Sequence, residues 1–290
     1  MKILVTGAAG NAGQATCKLL VEQGFTVRQA DATGPSAGNA GLGEFVRCDT
    51  RTPDDVRRAV DGVDGVIHLA AWHCGHQPPV SDPTIWGVNV DGTFYVLEAC
   101  REFGVKSIVY ASSMAYGWGG VYGLTKVVGE EMCRSYHEMT GAAIAMLRYH
   151  DFVPKRYLDF GTKLLRNGVD RRDVATANVA SIQAAADRKI GLFQTIVHTN
   201  HGMPAEVVSD FRKHGRDWCE SRVPGSVALI DKYKLGLPDR VEQHDMSEAE
   251  RLTGWTPKFG FGEFLEDLAA RDARGEDVAN LWAPGQFPEV

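Results

Sequence analysis

A tyrosine and a lysine lie four residues apart in the stretch "GGVYGLTKVVGE", at Tyr122 and Lys126. On a helix this spacing places both side chains on one face, one turn apart. A free tyrosine, with a pKa near 10, is a poor base at neutral pH, but a neighbouring ammonium stabilises its phenolate. Two serines just upstream, Ser112 and Ser113, could hold the same substrate oxygen. The group suggests a base that removes a hydroxyl proton while hydride leaves the substrate. A tyrosine and a lysine at this spacing are also common on plain helix surfaces, so their surroundings must decide.

A glycine-rich turn near the start of the chain favours the catalytic interpretation. The stretch "VTGAAGNAG" follows an apolar run and precedes a helical pattern. Its pattern G-x-x-G-x-x-G lets a pyrophosphate approach the backbone amides at a helix N-terminus. Asp31 ends the next predicted strand, where a carboxylate accepts hydrogen bonds from a ribose and repels a 2′-phosphate. The alternative is a glycine-rich turn beside a surface aspartate. We predict NAD, and not NADP, bound by Gly7, Gly10, Asn11, Ala12, Gly13 and Asp31.

Strand and helix patterns alternate over the first half of the chain. This alternation predicts an α/β fold with a doubly wound parallel (Rossmann) sheet. We assign residues 1–150 to an NAD-binding domain and residues 151–290 mainly to a small C-terminal substrate-binding annex. Residues of roughly 170–200 are expected to return to the sheet. Residues 278–290 are expected to form an extended surface tail.

Composition excludes several classes of partner. The chain has 290 residues, a net charge of −6 and no basic run, so we expect neither nucleic acid nor an anionic membrane surface as a partner. No apolar run approaches a membrane span, and the N-terminal apolar run is too short for a signal peptide. The six cysteines include no Cys-x-x-Cys pair and are interpreted as free thiols in a reducing cytoplasm.

Several motifs together resemble the extended short-chain dehydrogenases/reductases, the NAD-dependent epimerase/dehydratase group. They are "TGAAGNAG", Asp31, Asp49, "HLAA", "NVDGT", "YASS", "YGLTK", "LRY", "VDRRDVATA" and "AERLTGWTP". The resemblance implies Tyr122 as base, Lys126 as its partner and ribose contact, and Ser113 as catalytic serine, with Ser112 as second choice. It also implies cofactor contacts from Asp49, Leu69, Ala70, Ala71 and Asn89. A homodimer is implied, formed by two helices over residues 90–103 and 122–140, the second presenting Val127, Met132, Tyr136 and Met139.

Departures from this family bear on the substrate. The loop between Ser113 and Tyr122 is shorter than in most extended relatives. Asp151 stands where the sugar-nucleotide epimerases usually carry asparagine, and a carboxylate there would repel a diphosphate. The segment between "LRY" and "VDRRDV" is short, as in the uronate dehydrogenases. We therefore predict an oxidoreductase acting on a small sugar-like substrate without a nucleotide. The alternatives are a (nucleotide-)sugar epimerase and a non-catalytic NAD-binding sensor.

The loop "WHCGHQPP" gathers His73, Cys74 and His76. Three such side chains could ligate a metal, but no fourth ligand is evident, and "HTNH" lies far along the chain. We predict no metal site. His73, Ser113, Asp151 and Phe152 are the expected substrate contacts, and the aromatics Trp86 and Tyr157 either line the same pocket or pack.

Overall fold

The computed structural model describes residues 1–76 and 78–284, which divide into two compact units. The first unit comprises Met1–Tyr149, Val174–Ile196 and Met246–Trp255. The second comprises His150–Asp173, Val197–Asp245 and residues 256–284.

The strands form one seven-stranded sheet whose order is β3-β2-β1-β4-β5-β6-β7. Their bounds are β1 Lys2–Thr6, β2 Thr26–Asp31, β3 Glu44–Arg47, β4 Gly65–His68, β5 Ser107–Ser113, β6 Ala143–Tyr149 and β7 Leu192–Val197. Neighbouring strands run parallel, with Val5 opposite Gln29 and Ile67, for example. The central strands β1 and β4 are buried apolar runs, as expected of a parallel sheet covered on both faces. The predicted doubly wound parallel sheet is confirmed.

Helices separate the strands and continue into the second unit. They are α1 Asn11–Glu22, α2 Pro53–Val60, α3 Asp82–Trp86, α4 Gly92–Glu102, α5 Val121–Thr140, α6 Tyr157–Leu164, α7 Arg171–Ala186, α8 Ala205–Ser209, α9 Phe211–Arg222, α10 Ser226–Lys232, α11 Ser247–Thr253 and α12 Phe261–Ala273. A π-helical turn, Gly87–Asp91, joins α3 to α4. Within residues 1–76 and 78–284, no helix is both long and apolar enough to span a membrane.

Each unit has its own apolar core. In the first unit Val66, Val96, Ile108 and Ile144 pack together with other buried residues of the sheet and its helices. Burial of such side chains stabilises by about 1.5–3 kcal/mol each, which holds the strand ends in fixed positions.

The core of the second unit contains Tyr157 and part of the predicted surface tail. Tyr157 is 1% exposed in this core and its hydroxyl donates to Asp267, which supports packing, one of the two alternatives left open for it. The predicted surface tail is wrong for residues 278–284. Val278 and Ala283 are buried there, and the Ala283 amide donates to the Lys155 carbonyl. Residues 285–290 of the predicted tail lie outside the described residues.

The strand order places a topological switch point between β1 and β4. From β1 the chain proceeds outward to β2 and β3, and then returns to begin the other half at β4. The turns that follow β1 and β4 therefore leave the sheet side by side, and a crevice opens between them at the carboxyl ends of the strands.

Candidate active site

The glycine-rich turn after β1 is packed too tightly for side chains. Gly7 has a φ of +67°, and a Cβ there would lie 2.8 Å from the Ala70 amide nitrogen. A Cβ on Gly13 would lie 2.1 Å from the Gly7 carbonyl oxygen, which also accepts a hydrogen bond from the Gly10 amide at 3.1 Å. Only glycine satisfies these positions. The turn therefore brings the start of α1 against the segment that follows β4.

The N-terminus of α1 and the Asp31 carboxylate meet at this turn. The first bond within α1 runs from the Gln14 amide to the Gly10 carbonyl, so the Ala12 and Gly13 amides precede the helix ladder. Asp31 accepts from the Ala9 amide at 2.9 Å. A dinucleotide needs amides for its pyrophosphate and an acceptor for its ribose, and these groups supply both. The residues present fit NAD.

The predicted contacts after β4 are held by Asn89. Its amide oxygen accepts from the Trp72 amide at 2.9 Å, and its nitrogen donates to the Trp72 carbonyl at 2.8 Å and to Thr125 at 3.0 Å. The Ala70 amide donates to Thr6 on β1. The buried Asn89 side chain thus holds the Trp72 backbone, and Thr6 holds Ala70, in the segment that includes Leu69 and Ala71. Its hydrogen bonds are those of a positioning residue.

Asp49 has a different environment from Asp31. The Arg51 side chain donates to both of its carboxylate oxygens, at 2.9 Å to Oδ1 and 2.5 Å to Oδ2. These hydrogen bonds hold the pKa of Asp49 below its usual range, although partial burial opposes them. The predicted cofactor contact at Asp49 would therefore involve a carboxylate already paired with Arg51.

Ser113, Tyr122 and Lys126 lie together at the carboxyl end of β5 and the first turns of α5. The Ser113 hydroxyl lies near the Tyr122 phenol and lowers its pKa. The Lys126 ammonium lies 5.6 Å from the Tyr122 ring centroid and donates to the Ala111 carbonyl at 2.8 Å. The short connection between β5 and α5 is turned through Gly120, which has a φ of +97°. Trp118 in this connection is 62% exposed.

The two serines at the end of β5 point in different directions, as successive strand residues must. Ser112 is buried and donates to the Glu130 carboxylate at 2.6 Å. Ser113 is half-buried, faces Tyr122 and accepts from the Ala115 amide at 3.1 Å. The geometry therefore supports Ser113, and not Ser112, as the serine beside the phenol.

Burial sets the protonation of the phenol and the amine. Burial raises the pKa of Tyr122 above its ordinary value of 10, and the hydrogen bond with Ser113 lowers it in part. Burial lowers the pKa of Lys126 to about 8, against the opposing effect of Glu130. Without further positive charge the phenol is neutral at pH 7. A base at Tyr122 therefore needs a cation to be added beside it.

The sequence did not identify Glu130, a buried residue of α5 that contacts both β5 and β6. Glu130 is fully buried on α5, one turn beyond Lys126, and pairs with Arg148 on β6. The sequence does show that Glu130 lies about two helical turns after Tyr122. A glutamate among lysine and glutamate neighbours is, however, typical of an exposed helix face, so nothing marked it as buried.

The loop after Ala71 brings two imidazole rings into contact. The His73 and His76 ring centroids lie 3.9 Å apart, and His73 accepts from the Gly75 amide at 2.9 Å. Cys74 is exposed and lies near enough to Tyr122 to affect the pKa of the phenol. This loop therefore lies near the phenol, and the substrate contact at His73 stays a prediction.

Asp151 and Phe152 belong to the second unit, directly after β6. Asp151 is paired with two ammonium groups, Lys155 at 2.9 Å and Lys163 at 3.3 Å. Burial raises the pKa of Asp151, but the hydrogen bond and charge of Lys155 outweigh it, so the net pKa lies below the usual value. The Asp151 carboxylate is therefore not an isolated negative charge. The sequence argument about diphosphate repulsion assumed that it was.

Comparison with known proteins relates the chain to epimerases and dehydrogenases. Residues 3–171 match the model of the NAD dependent epimerase/dehydratase family. A putative UDP-glucose 4-epimerase of Methanocaldococcus jannaschii is 33% identical, over 91% of this chain and 96% of its own length. A uronate dehydrogenase of Pseudomonas syringae is 28% identical over 53% of this chain, and the match spans 60% of that enzyme.

Solved structures show the same fold. A short-chain dehydrogenase/reductase superfamily protein of Agrobacterium tumefaciens with bound NAD has a TM-score of 0.69 at 22% identity, covering 94% of this chain and 98% of the other. A UDP-glucose 4-epimerase of Brucella ovis in complex with NAD has a TM-score of 0.66 at 20% identity, covering 91% and 95%.

Proposed function

Because the chain belongs to the NAD-dependent epimerase/dehydratase family, we propose that Ser113, Tyr122 and Lys126 carry out its hydride-transfer chemistry. The chain is an NAD-dependent enzyme, and the proposed reaction is oxidation of a secondary alcohol on a small sugar-like substrate. The observation that carries the proposal is the buried Lys126 ammonium 5.6 Å from the Tyr122 ring centroid, with the Ser113 hydroxyl near the same phenol.

The side chains divide the chemistry of alcohol oxidation between them. Tyr122 takes the hydroxyl proton of the substrate, and Ser113 holds the same oxygen by a hydrogen bond. Lys126 contributes positive charge that favours the phenolate, although burial lowers its pKa to about 8. When bound, NAD supplies the hydride acceptor and a second positive charge. The glycine turn, Asp31 and the segment fixed by Asn89 are the proposed cofactor contacts.

The proposed substrate is a free sugar or sugar acid, with contacts from His73, Ser113, Asp151 and Phe152. The chain between β6 and α7 is short and contains only one helix, α6. That leaves little chain to grip a nucleotide. The second unit, proposed here as the substrate-binding annex, includes residues 197–245 as well as those near 150–173.

Epimerisation of a nucleotide sugar is the second candidate, because two observations favour it. The relative from Methanocaldococcus jannaschii is described as a putative UDP-glucose 4-epimerase and matches over nearly its whole length. Lys155 and Lys163 both reach the Asp151 carboxylate, so this region also carries positive charge that could face a diphosphate. The same trio would serve either reaction.

We propose a cytoplasmic homodimer in which α4 and α5 form the contact. Phe94 on α4 is 49% exposed, and Leu124 and Met139 on α5 are 48% and 65% exposed. Tyr136, one of the residues predicted to face the partner, is instead buried in the core of the first unit at 2% exposure. Light scattering at micromolar concentration tests the dimer, and a monomer mass would contradict it.

A substrate panel tests the proposed reaction. Free sugars, sugar acids and UDP-sugars are each incubated with NAD⁺, and absorbance at 340 nm is followed together with product analysis. Net NADH formation with a free sugar or sugar acid supports the dehydrogenase. Conversion of a UDP-sugar to its epimer without net NADH supports the second candidate, and no turnover by either route contradicts both.

A further inference from the structure

Three histidines from distant parts of the chain meet inside the second unit. His150 follows β6, His198 follows β7, and His244 lies in the segment before α11. One nitrogen from each ring lies within 4.8 Å of the others. The closest pair, His150 Nε2 and His244 Nε2, is 2.9 Å apart. The adjacency of β6 and β7 explains why His150 and His198 meet, since the His150 amide donates to the Val197 carbonyl at 3.1 Å.

His198 directs a lone pair into buried space, and His150 has a buried ring nitrogen without a hydrogen-bond partner. His198 Nε2 lies 2.8 Å from the Arg166 carbonyl oxygen, and only a protonated nitrogen can donate to a carbonyl. His198 Nδ1 therefore carries a lone pair. Among the described residues, neither His198 Nδ1 nor His150 Nδ1 has a hydrogen-bond partner, although His198 is fully buried and His150 is 4% exposed. A buried polar atom without a partner is costly and calls for an explanation.

The surroundings match those of metal-ligating histidines. Such rings commonly donate their second N–H to a backbone carbonyl, which fixes the tautomer, as Arg166 does for His198. Burial lowers the pKa of His150 to about 4 and that of His198 to about 2, so both rings are neutral at pH 7 and offer lone pairs. A fourth donor is close. Glu242 Oε1 lies 3.2 Å from His244 Nε2 and 3.7 Å from His150 Nε2.

We propose that His150, His198, His244 and Glu242 bind a divalent transition-metal ion, with Zn²⁺ as the ion used to test the site. Nitrogen and carboxylate ligands at about 2.0–2.1 Å suit tetrahedral zinc, which places ligand atoms about 3.4 Å apart. The 2.9 Å pair is about 0.5 Å closer than this and the other separations extend to at most 4.8 Å, so the rings must rotate to surround the ion. The single negative charge of Glu242 also neutralises half of the charge of the divalent ion.

The proposed site is structural. The ion would join the chain after β6, the chain after β7 and the segment containing His244 within one unit. Metal bound only by the folded state stabilises that state, so zinc should raise Tm and a chelator should lower it. The site is independent of the hydride-transfer proposal, because none of its ligands is assigned a role there.

Zinc binding to the full, tag-free chain tests the proposal directly. The protein is stripped with a chelator, dialysed, and titrated with Zn²⁺ against a chromogenic chelator at pH 7.5. We expect one equivalent with a Kd of about 1 μM or tighter, and a Tm rise of about 5 °C at tenfold excess zinc. Substitution with Co²⁺ should give visible absorption bands of a low-symmetry nitrogen and oxygen site.

Matched variants separate this cluster from other zinc-binding groups. His244→Gln removes a partly exposed ligand and should weaken binding at least tenfold, and His198→Gln should do the same. A Cys74→Ser, His76→Asn double variant disrupts the other histidine-containing loop and should retain the affinity. His214→Gln, on α9, controls for surface histidines. Loss of binding only in the Cys74 and His76 variant, or no stoichiometric zinc in the unmodified protein, overturns the proposal.

Discussion

Both carboxylate oxygens of Glu130 accept hydrogen bonds from the Arg148 guanidinium, each at 2.7 Å. Glu130 is fully buried, and its Oε1 atom also accepts from Ser112. Arg148 in turn lies over the Tyr116 ring, 3.8 Å from its centroid. These contacts connect α5, the end of β5 and β6. Glu130 thereby supports the two elements that carry Ser113, Tyr122 and Lys126 without touching the phenol itself.

Breaking this pair should destabilise the fold. Glu130→Gln leaves the Arg148 guanidinium without its counter-charge in a buried site, which costs about 3 kcal/mol. We expect a fall in Tm of about 8 °C for a chain of this size. Glu131→Gln is the matched control, since Glu131 pairs with Arg134 at the surface and should change stability by less than about 0.5 kcal/mol. Equal melting temperatures for the two variants would show that the buried pair contributes no more to stability than the surface pair.

The adjacent serines should separate catalysis from stability. Tyr122→Phe should lower kcat by roughly 10² or more while NAD still binds, because the base is lost. Ser113→Ala should lower kcat by less, since one hydrogen bond is removed. Ser112→Ala should leave kcat nearly unchanged and lower Tm, because Ser112 contacts Glu130 and not Tyr122. Steady-state rates measure the effect of each variant on kcat, and thermal melts measure its effect on Tm. Full activity in Tyr122→Phe would refute the assignment of the base.

The sequence predicted the motifs that are local and missed contacts that depend on strand order. The family, the parallel sheet and the use of NAD are confirmed, because each follows from patterns within a few residues. The burial of Glu130 was not predictable, since its partner Arg148 comes from a neighbouring strand. His198 was set aside as too distant along the chain from other histidines. The adjacency of β6 and β7, which the sequence does not state, brings it to His150.

Tyr136 illustrates a second limit of the sequence. Its position among other apolar residues of α5 was consistent with either a subunit contact or the core, and it lies in the core. Apolar periodicity identifies a buried face of a helix but not what covers it. Met139, three residues further along, is 65% exposed, so the edge of the buried face lies between these two neighbours.

Cofactor selectivity should depend on the charge of Asp31. We expect NAD to bind at least tenfold more tightly than NADP, a difference of about 1.4 kcal/mol. Asp31→Asn keeps an acceptor for the Ala9 amide but removes the charge, so it should narrow the ratio mainly by improving NADP binding. Asp31→Ala combined with Ala32→Arg should narrow it further. Fluorescence titration of both nucleotides gives the ratio, and equal affinities in the unmodified protein would contradict the role of Asp31.

Acid stability should depend on His68. Its Nε2 atom donates to Thr93, whose hydroxyl donates onward to the Asn89 carbonyl, and its Nδ1 atom lies 2.7 Å from the Thr6 hydroxyl. Burial, with a smaller contribution from the Lys126 charge, lowers the pKa of His68 to about 3. The unfolded chain binds a proton near pH 6.5 and the folded chain does not.

Stability contributed by His68 is therefore fully present above pH 6.5 and is lost as pH falls from 6.5 towards 3. The loss at pH 5 should be on the order of 2 kcal/mol. His68→Gln removes the titrating group, so the difference in unfolding free energy between the variant and the unmodified protein should shrink by this amount between pH 7 and pH 5. Urea melts at both pH values measure it. A difference that is independent of pH would show that His68 titrates alike in both states.

Substrate class should depend on the pairing of Asp151 with Lys155 and Lys163. In the unmodified protein the carboxylate neutralises part of their charge, so we expect UDP-sugars to bind with a Kd above about 1 mM, or about −4 kcal/mol. Asp151→Asn releases both ammonium groups, and UDP-sugar affinity should then rise by about tenfold. A free sugar that uses the carboxylate as a hydroxyl acceptor should bind more weakly to the same variant. Asp217→Asn, at an exposed aspartate on α9, makes the same change in net charge and controls for it. Calorimetry with NAD present distinguishes the outcomes, and micromolar UDP-sugar binding to the unmodified protein would overturn the preference for a nucleotide-free substrate and favour the epimerase.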